Sequence, residues 1–343
     1  MIRASVNFIR QPIPLLGVLG AVFIGTGVLL RLYNFTGPEL WIDEYGTWWV
    51  VSPHDWGEVT RRAVQIQGQS PFYYFFVKLS ADVLGPSVLS LRLPSILFGI
   101  GIVGLAYPLG LRIFHDHHAA LFTLAAFALN ERMIFYSQEA RPYSLALFCA
   151  LVSFLFYLSL LKRNTLSLRL GYVLATAAAY YAHYLFGFIV VIQIVHLCSI
   201  REWAQSRVKA WALTFFALVL VVLPGIPQLF NLFARRESLN WLPPPELFAP
   251  LRLVVEFLDP WVFSATAFVV LALGTAMVGT QGLPREAKLG LILSWLLVPI
   301  IAFGVISALS GASLLHSRYL LFVSPAAILV TAWLMALKSA LVF

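Results

Sequence analysis

Charge is scarce in this chain. Only 11% of its 343 residues are Asp, Glu, Lys or Arg, where a soluble globular protein carries about 25%. That excludes an ordinary soluble enzyme and a disordered chain. Cysteine is nearly absent: Cys149 and Cys198 both lie inside apolar runs. This excludes a disulfide-stapled secreted scaffold and points to buried thiols, with no disulfide or metal site implied. The polar–apolar alternation of a membrane β-barrel, in segments of about ten residues, is missing too. No internal repeat is visible, and nothing is low in complexity beyond Pro243-Pro244-Pro245. What remains is apolar: 60% of the residues, with a mean hydropathy of +0.86. At about 20 residues per span, that is material for roughly ten transmembrane helices. The expected fold is all-α, a polytopic bundle with juxtamembrane amphipathic helices in its first outer loop.

Apolar runs fall near 12–31, 91–111, 118–136, 140–161, 169–182, 184–200, 210–231, 261–280, 289–309 and 319–337. Arg3 and Arg10 precede the first run and no small-residue cleavage site follows it, so an uncleaved first span is expected. The stretch Arg169–Ile200 reads as two short helices turning at Tyr181-Ala182-His183-Tyr184, because the basic clusters at 162–169 and 201–209 then share a side. Phe72–Leu84 is apolar, too short to cross, and carries Lys78 and Asp82; it reads as a helix lying beside the membrane. With the N-terminus inside, net charge divides into +9 inside and −1 outside. The formal charge of +8 is therefore a topology signal and not one for nucleic acid. The carboxylates and long loops collect on the outer face, where chemistry is expected. The chain reads as one membrane domain, 1–343, with 32–90 as its first outer loop and 232–260 as a second long outer segment.

Three groups of residues stand out on that face. Trp41-Ile42-Asp43-Glu44 follows the first span. A carboxylate partly removed from water has a raised pKa and can act as a general base; the alternative is a solvated acid or a helix N-cap. Tyr136-Ser137-Gln138-Glu139-Ala140-Arg141 places Glu139 and Arg141 at the end of two spans, where ionisable groups are costly; an ion pair or snorkelling is the alternative. His316-Ser317-Arg318-Tyr319 puts Arg318 at headgroup level, where the last span is expected to begin. Arginine is the usual bidentate partner of phosphate; a helix anchor is the alternative. His183 reads more readily as packed than catalytic. His117-His118, with Asp116 on the inner side, reads as a solvated loop. Trp41, Trp48, Trp49, Tyr73 and Tyr74 are aromatics that can line a site for a lipid or a sugar.

Trp41-Ile42-Asp43-Glu44 resembles the Asp-Glu motif of GT-C membrane glycosyltransferases, and is most similar to glycosyltransferase family 39, the dolichyl-phosphate-mannose protein mannosyltransferase-like family. Ser70-Pro71-Phe72-Tyr73-Tyr74, Leu91-Arg92-Leu93-Pro94-Ser95, Tyr136-Ser137-Gln138-Glu139-Ala140-Arg141 and Arg318-Tyr319-Leu320-Leu321 resemble further landmarks of that family, in order along the chain. The resemblance implies a multi-spanning enzyme, a hexosyl- or pentosyltransferase of the cell envelope. It would move a sugar from a polyprenyl-phosphate donor to an acceptor hydroxyl at the outer face, in a bacterial inner (plasma) membrane. Asp43 matches the family's catalytic acid, and Glu139 the acid of the second outer loop, with Glu44 beside Asp43 as a further catalytic candidate. Arg141 and Arg318 match donor phosphate ligands by motif position, and Trp41, Tyr73, Tyr74 and His183 complete the substrate-binding set. No cofactor is expected; a divalent metal at Asp43 and Glu139 is the less favoured arrangement. The partners implied are the donor, membrane lipid and an unidentified acceptor, without nucleic acid. Family members often carry further spans or a C-terminal domain after the motif of Arg318. A reading from another class is a lipid or solute transporter that uses the same acids as coupling sites, although the inverted repeats common in transporters are not evident.

Overall fold

The computed structural model describes residues 13–200, 207–234, 246, 248–258, 284–310 and 314–341. Among them there is no strand, and most of them are helical. Helix α1 (Ile13–Leu32) leads to three helices at one end of the bundle, α2 (Ile42–Val51), α3 (Trp56–Arg61, continued by a π turn) and α4 (Phe72–Leu84). Then come α5 (Val88–Phe114), α6 (His117–Leu129), α7 (Glu131–Ser137), α8 (Tyr143–Lys162) and α9 (Leu166–Ala182). A short 3-10 turn at Tyr184–Phe188 opens α10 (Ile189–Ser199), followed by α11 (Val208–Val222), α12 (Ile226–Ala234), α13 (Ala249–Leu258), α14 (Arg285–Ser310) and α15 (Ser324–Leu341). Helices at 88–114, 143–162, 208–230 and 286–310 are long and apolar enough to cross a membrane, and α6–α7 makes a fifth if the bent pair is one span. Leu16–Leu32, Tyr184–Ser199 and Leu321–Trp333 are shorter apolar helices. The run at 261–280 lies outside the described residues.

Polar contacts between the helix ends gather at two ends of the bundle. At one face Lys162 meets His115, Arg207 meets the carbonyls of Leu160 and Leu161, and His196 meets the carbonyl of Ala287. This is the basic end. At the other, Glu44, Arg92, Ala140, Arg141 and Arg318 converge. Small residues let helix backbones approach: a Cβ on Gly27 would stand 3.0 Å from the Cβ of Ala128, and one on Gly110 would stand 2.9 Å from the Cα of Ala120.

The turn expected at 181–184 is there: α9 stops at Ala182, and His183 is extended before the 3-10 turn. Phe72–Leu84 is a helix over those same residues, packed on α2 and α5. Two readings change. The run 118–136 is not one straight helix. It breaks at Asn130, where α6 and α7 meet at 52°, because the Asn130 side chain accepts from Met133 N and caps α7 in place of a continuous ladder. Nor do His117 and His118 form a loop, although His117 is exposed. Asp116 accepts from Ala119 N and so makes them the first turn of α6, with the His117 ring 2.6 Å from the Tyr107 hydroxyl.

The break exposes carbonyls that two polar side chains take up. Arg31, fully buried in α1, donates to the carbonyls of Phe127 and Ala128 at the end of α6. In return Gln138 Nε2 donates to the carbonyls of Leu30, Arg31 and Tyr33 at the end of α1. Terminal carbonyls left unpaired in an apolar bundle are costly, so the two helices are stitched where the chain turns towards Glu139.

Candidate active site

Helix α2 begins at Ile42, so Asp43 and Glu44 both fall in its first turn. Neighbouring positions on a helix point about 100° apart, and here they diverge. Glu44 faces inward and is fully buried. Its Oε1 accepts from Arg92 Nε at 2.8 Å and from Ala140 N at 2.7 Å; its Oε2 accepts from Arg92 Nη2 at 2.6 Å and from Trp41 N at 3.4 Å. Arg92 donates further to the carbonyls of Phe35, Pro38 and Glu39. This bidentate pair locks the loop after α1, the start of α2, the first turns of α5 and the turn before α8 into one piece. The capping role considered for the Asp-Glu pair therefore falls to Glu44.

Asp43 keeps 31% of its side chain exposed, and its Oδ2 lies 3.2 Å from Arg318 Nη1. Arg318 comes from the turn Ser317–Leu320, ahead of a 3-10 turn at Leu321–Val323; α15 starts only at Ser324, so Arg318 precedes the last helix and does not begin it. Its guanidinium stands 5.8 Å from the Trp41 ring centroid and 5.9 Å from that of Tyr319. Arg141 is almost buried, and its Nη1 donates to the Asp43 carbonyl at 3.2 Å.

Each position of the Tyr136–Arg141 string has a task. The Tyr136 hydroxyl bonds Ser317, next to Arg318. Ser137 donates to the Met133 carbonyl beneath Gly99, where a Cβ would stand 2.2 Å from Ser137 Oγ. Gln138 closes α1, the Ala140 amide binds Glu44, and the Arg141 carbonyl accepts from Ser95. Glu139 lies in the turn before α8, nearly buried, with no hydrogen bond to Oε2. Burial first, and then the charge of Glu44, push its pKa up to about 7, against the pull of Arg141 and Arg318.

The remaining candidates divide. Trp41 is exposed beside Arg318. Tyr73 and Tyr74 are both buried, and their hydroxyls are engaged by Ser95 and by Gln69. Through Ser95, Tyr73 braces the Arg141 backbone. Trp49 carries the Arg62 guanidinium on its face at 4.4 Å. His183 packs against Tyr143 and Phe186 with its Nδ1 unpartnered. Burial, then Arg141, pull its pKa down to about 3, so the ring is neutral. Among the described residues no group of three His, Cys, Asp or Glu side chains is placed to hold a metal. The sequence reading did not count Arg92, Ser95 or Gln138 as site residues. The signal was present: Arg92 is an ionisable group in the second turn of an apolar helix, which calls for a buried partner.

Residues 68–226, a little under half of the chain, match the family model of dolichyl-phosphate-mannose-protein mannosyltransferases. The chain resembles the GT-C membrane glycosyltransferases in sequence and in fold. It is similar to the crystal structure of ArnT from Cupriavidus metallidurans bound to undecaprenyl phosphate, with a TM-score of 0.67 and 17% identity over 93% of this chain and 60% of that one. The apo state of ArnT gives 0.63 and 16%, over 93% and 59%. This GT-C-like chain thus spans about 60% of the length of ArnT. No curated protein matches it in sequence.

Proposed function

We propose that this protein is an integral membrane glycosyltransferase that moves a hexose or pentose from a polyprenyl-phosphate donor to an acceptor hydroxyl. The observation that carries the reading is the pair of Asp43 with Arg318, joined by Arg141 and a carboxyl poised near neutrality, at one end of an apolar bundle. The likeness to a fold solved with undecaprenyl phosphate supports the choice of donor.

Transfer needs one base and a stabilised leaving group. The acceptor oxygen attacks the anomeric carbon, its proton passes to Asp43, and the bond from carbon to phosphate oxygen breaks with its electron pair on the phosphate. A phosphate is a stable anion, so no general acid is required. Arg318 and Arg141 meet the charge on its oxygens. Arg318 is now the partner of Asp43; a donor phosphate that claims this guanidinium frees the carboxylate to take the acceptor's proton. Base and donor are coupled in that way. Glu139, whose buried Oε2 has no hydrogen-bond partner, orients the acceptor through a donor group other than the attacking hydroxyl. The reaction in this form uses no cofactor. Purified protein incubated with labelled polyprenyl-phosphate sugars should consume one of them, water standing in for the acceptor, and release free sugar and polyprenyl phosphate. Consumption of none across hexose and pentose donors, with dolichyl and undecaprenyl carriers, would refute the assignment.

The site end faces outward in this reading, in a bacterial plasma membrane, because the basic clusters gather at the opposite end. A cysteine placed at 55 should react with an impermeant reagent added from outside, and one at 165 should not. The reverse pattern would turn the site inward.

If Glu139 must be ionised to accept a hydrogen bond from a second donor group of the acceptor, activity should rise through an acid limb near pH 7. Glu139→Gln should lose that limb. A wild-type profile already flat from pH 5 to 8 would remove Glu139 from acceptor binding.

A further inference from the structure

The basic end carries a feature that glycosyl transfer does not use. A shallow cleft, open to the surface, lies where the end of α8, the start of α9 and α11 meet, lined by Leu160, Asn164, Arg169, Arg207, Trp211 and Thr214. Two guanidinium groups share it. Arg169 donates through Nε and Nη2 to the Asn164 side chain, and Arg207 donates through Nη1 to the carbonyls of Leu160 and Leu161. Both arginines thus spend bonds on neutral acceptors. That pattern holds across this end: Arg112 bonds a carbonyl and a hydroxyl, Lys162 an imidazole, Lys288 a carbonyl. Among the described residues every ion pair lies in the site half of the molecule. Capping the carbonyl end of α8 accounts for one donor of Arg207. It does not account for a second arginine across a cleft.

The surroundings name the missing anion. Leu170 and Leu174 are exposed on α9 just beyond Arg169, and Leu213 and Phe216 are exposed on α11 just beyond Trp211. In a membrane protein such stripes face acyl chains. A cationic cleft at the head of two lipid-facing stripes has the form of a seat for a phosphodiester with hydrocarbon attached. We infer that the cleft between Arg169 and Arg207 binds the headgroup phosphate of an anionic phospholipid, separate from the donor site at the other end. Arginine forks suit phosphate oxygens, and each charge-assisted bond strengthens in a half-buried seat.

Native mass spectrometry of the full chain in detergent, with phosphatidylglycerol, phosphatidylcholine or inorganic phosphate added, tests this. Wild type should retain phosphatidylglycerol about tenfold more tightly than phosphatidylcholine, and Arg169→Gln should lose that preference. Arg207→Gln should lose it too. Because that change also uncaps α8, its melting temperature is measured alongside, and Arg169→Gln decides if it does not fold. Arg163→Gln, which removes an exposed charge from the same end, should retain the lipid as wild type does. Equal retention of the two lipids, or unchanged retention in Arg169→Gln, would overturn the inference. So would stabilisation by inorganic phosphate without lipid retention, which assigns the cleft to a free anion.

Discussion

Asp43→Asn is expected to lower turnover by about 10²–10⁴-fold, the usual contribution of a positioned general base. Asparagine has the shape of aspartate and can still accept from Arg318, so the loop and the arginine stay in place. What is lost is the group that takes the acceptor's proton. The loss should therefore fall on kcat, with donor KM within a few-fold of wild type. Asp43 is partly exposed and carries none of the bonds that brace α2 through its side chain, so expression and melting temperature should hold. Activity within a few-fold of wild type would exclude Asp43 as the base and move that role to Glu139.

The adjacent residue should behave in the opposite way. Glu44→Gln leaves Arg92 as a buried charge with no carboxylate, and the Glu44–Arg92 pair sits at 0% and 5% side-chain exposure. Breaking one partner of a buried pair costs about 3–5 kcal/mol. The damage reaches beyond the pair, because Glu44 also accepts from Ala140 N, between Glu139 and Arg141. The variant should melt well below wild type in detergent and lose activity along with the fold. A variant of unchanged melting temperature that is nonetheless inactive would place Glu44 in the chemistry itself. Two neighbouring acids that read alike in the sequence are thus separable: one change spares the fold and stops turnover, the other undoes the fold.

That difference marks where sequence reasoning stopped. The helical, apolar character of the chain was legible because hydrocarbon demands long apolar runs, and the turn at His183 because the basic clusters had to share a side; of the ten runs expected to span, four among the described residues, or five with α6 and α7 joined, are long and apolar enough to cross. The convergence of Asp43, Glu139, Arg141 and Arg318 was legible as well, since ionisable groups at the ends of spans need one another. The division of labour between Asp43 and Glu44 was not. It depends on which side of α2 meets Arg92, 48 residues away, and no local pattern carries that. The break at Asn130 had a visible sign, Asn130-Glu131-Arg132 inside an apolar run, but besides the local cap from Asn130 it needs Arg31 of α1 to take up the carbonyls left open at the end of α6. Tyr73 and Tyr74 show the converse: an aromatic pair beside the motif suggested a substrate wall, and their buried hydroxyls brace the frame instead.

The most direct measurement is the affinity of undecaprenyl phosphate for wild type and for Arg318→Lys. Lysine keeps the positive charge and can still anchor a helix at the interface, but it lacks the fork that grips two phosphate oxygens. If Arg318 holds the donor phosphate and hands Asp43 its freedom, Arg318→Lys should weaken binding about tenfold or more, and Arg318→Ala should weaken it further. Equal affinity of wild type and Arg318→Lys would contradict the shared site of donor and base.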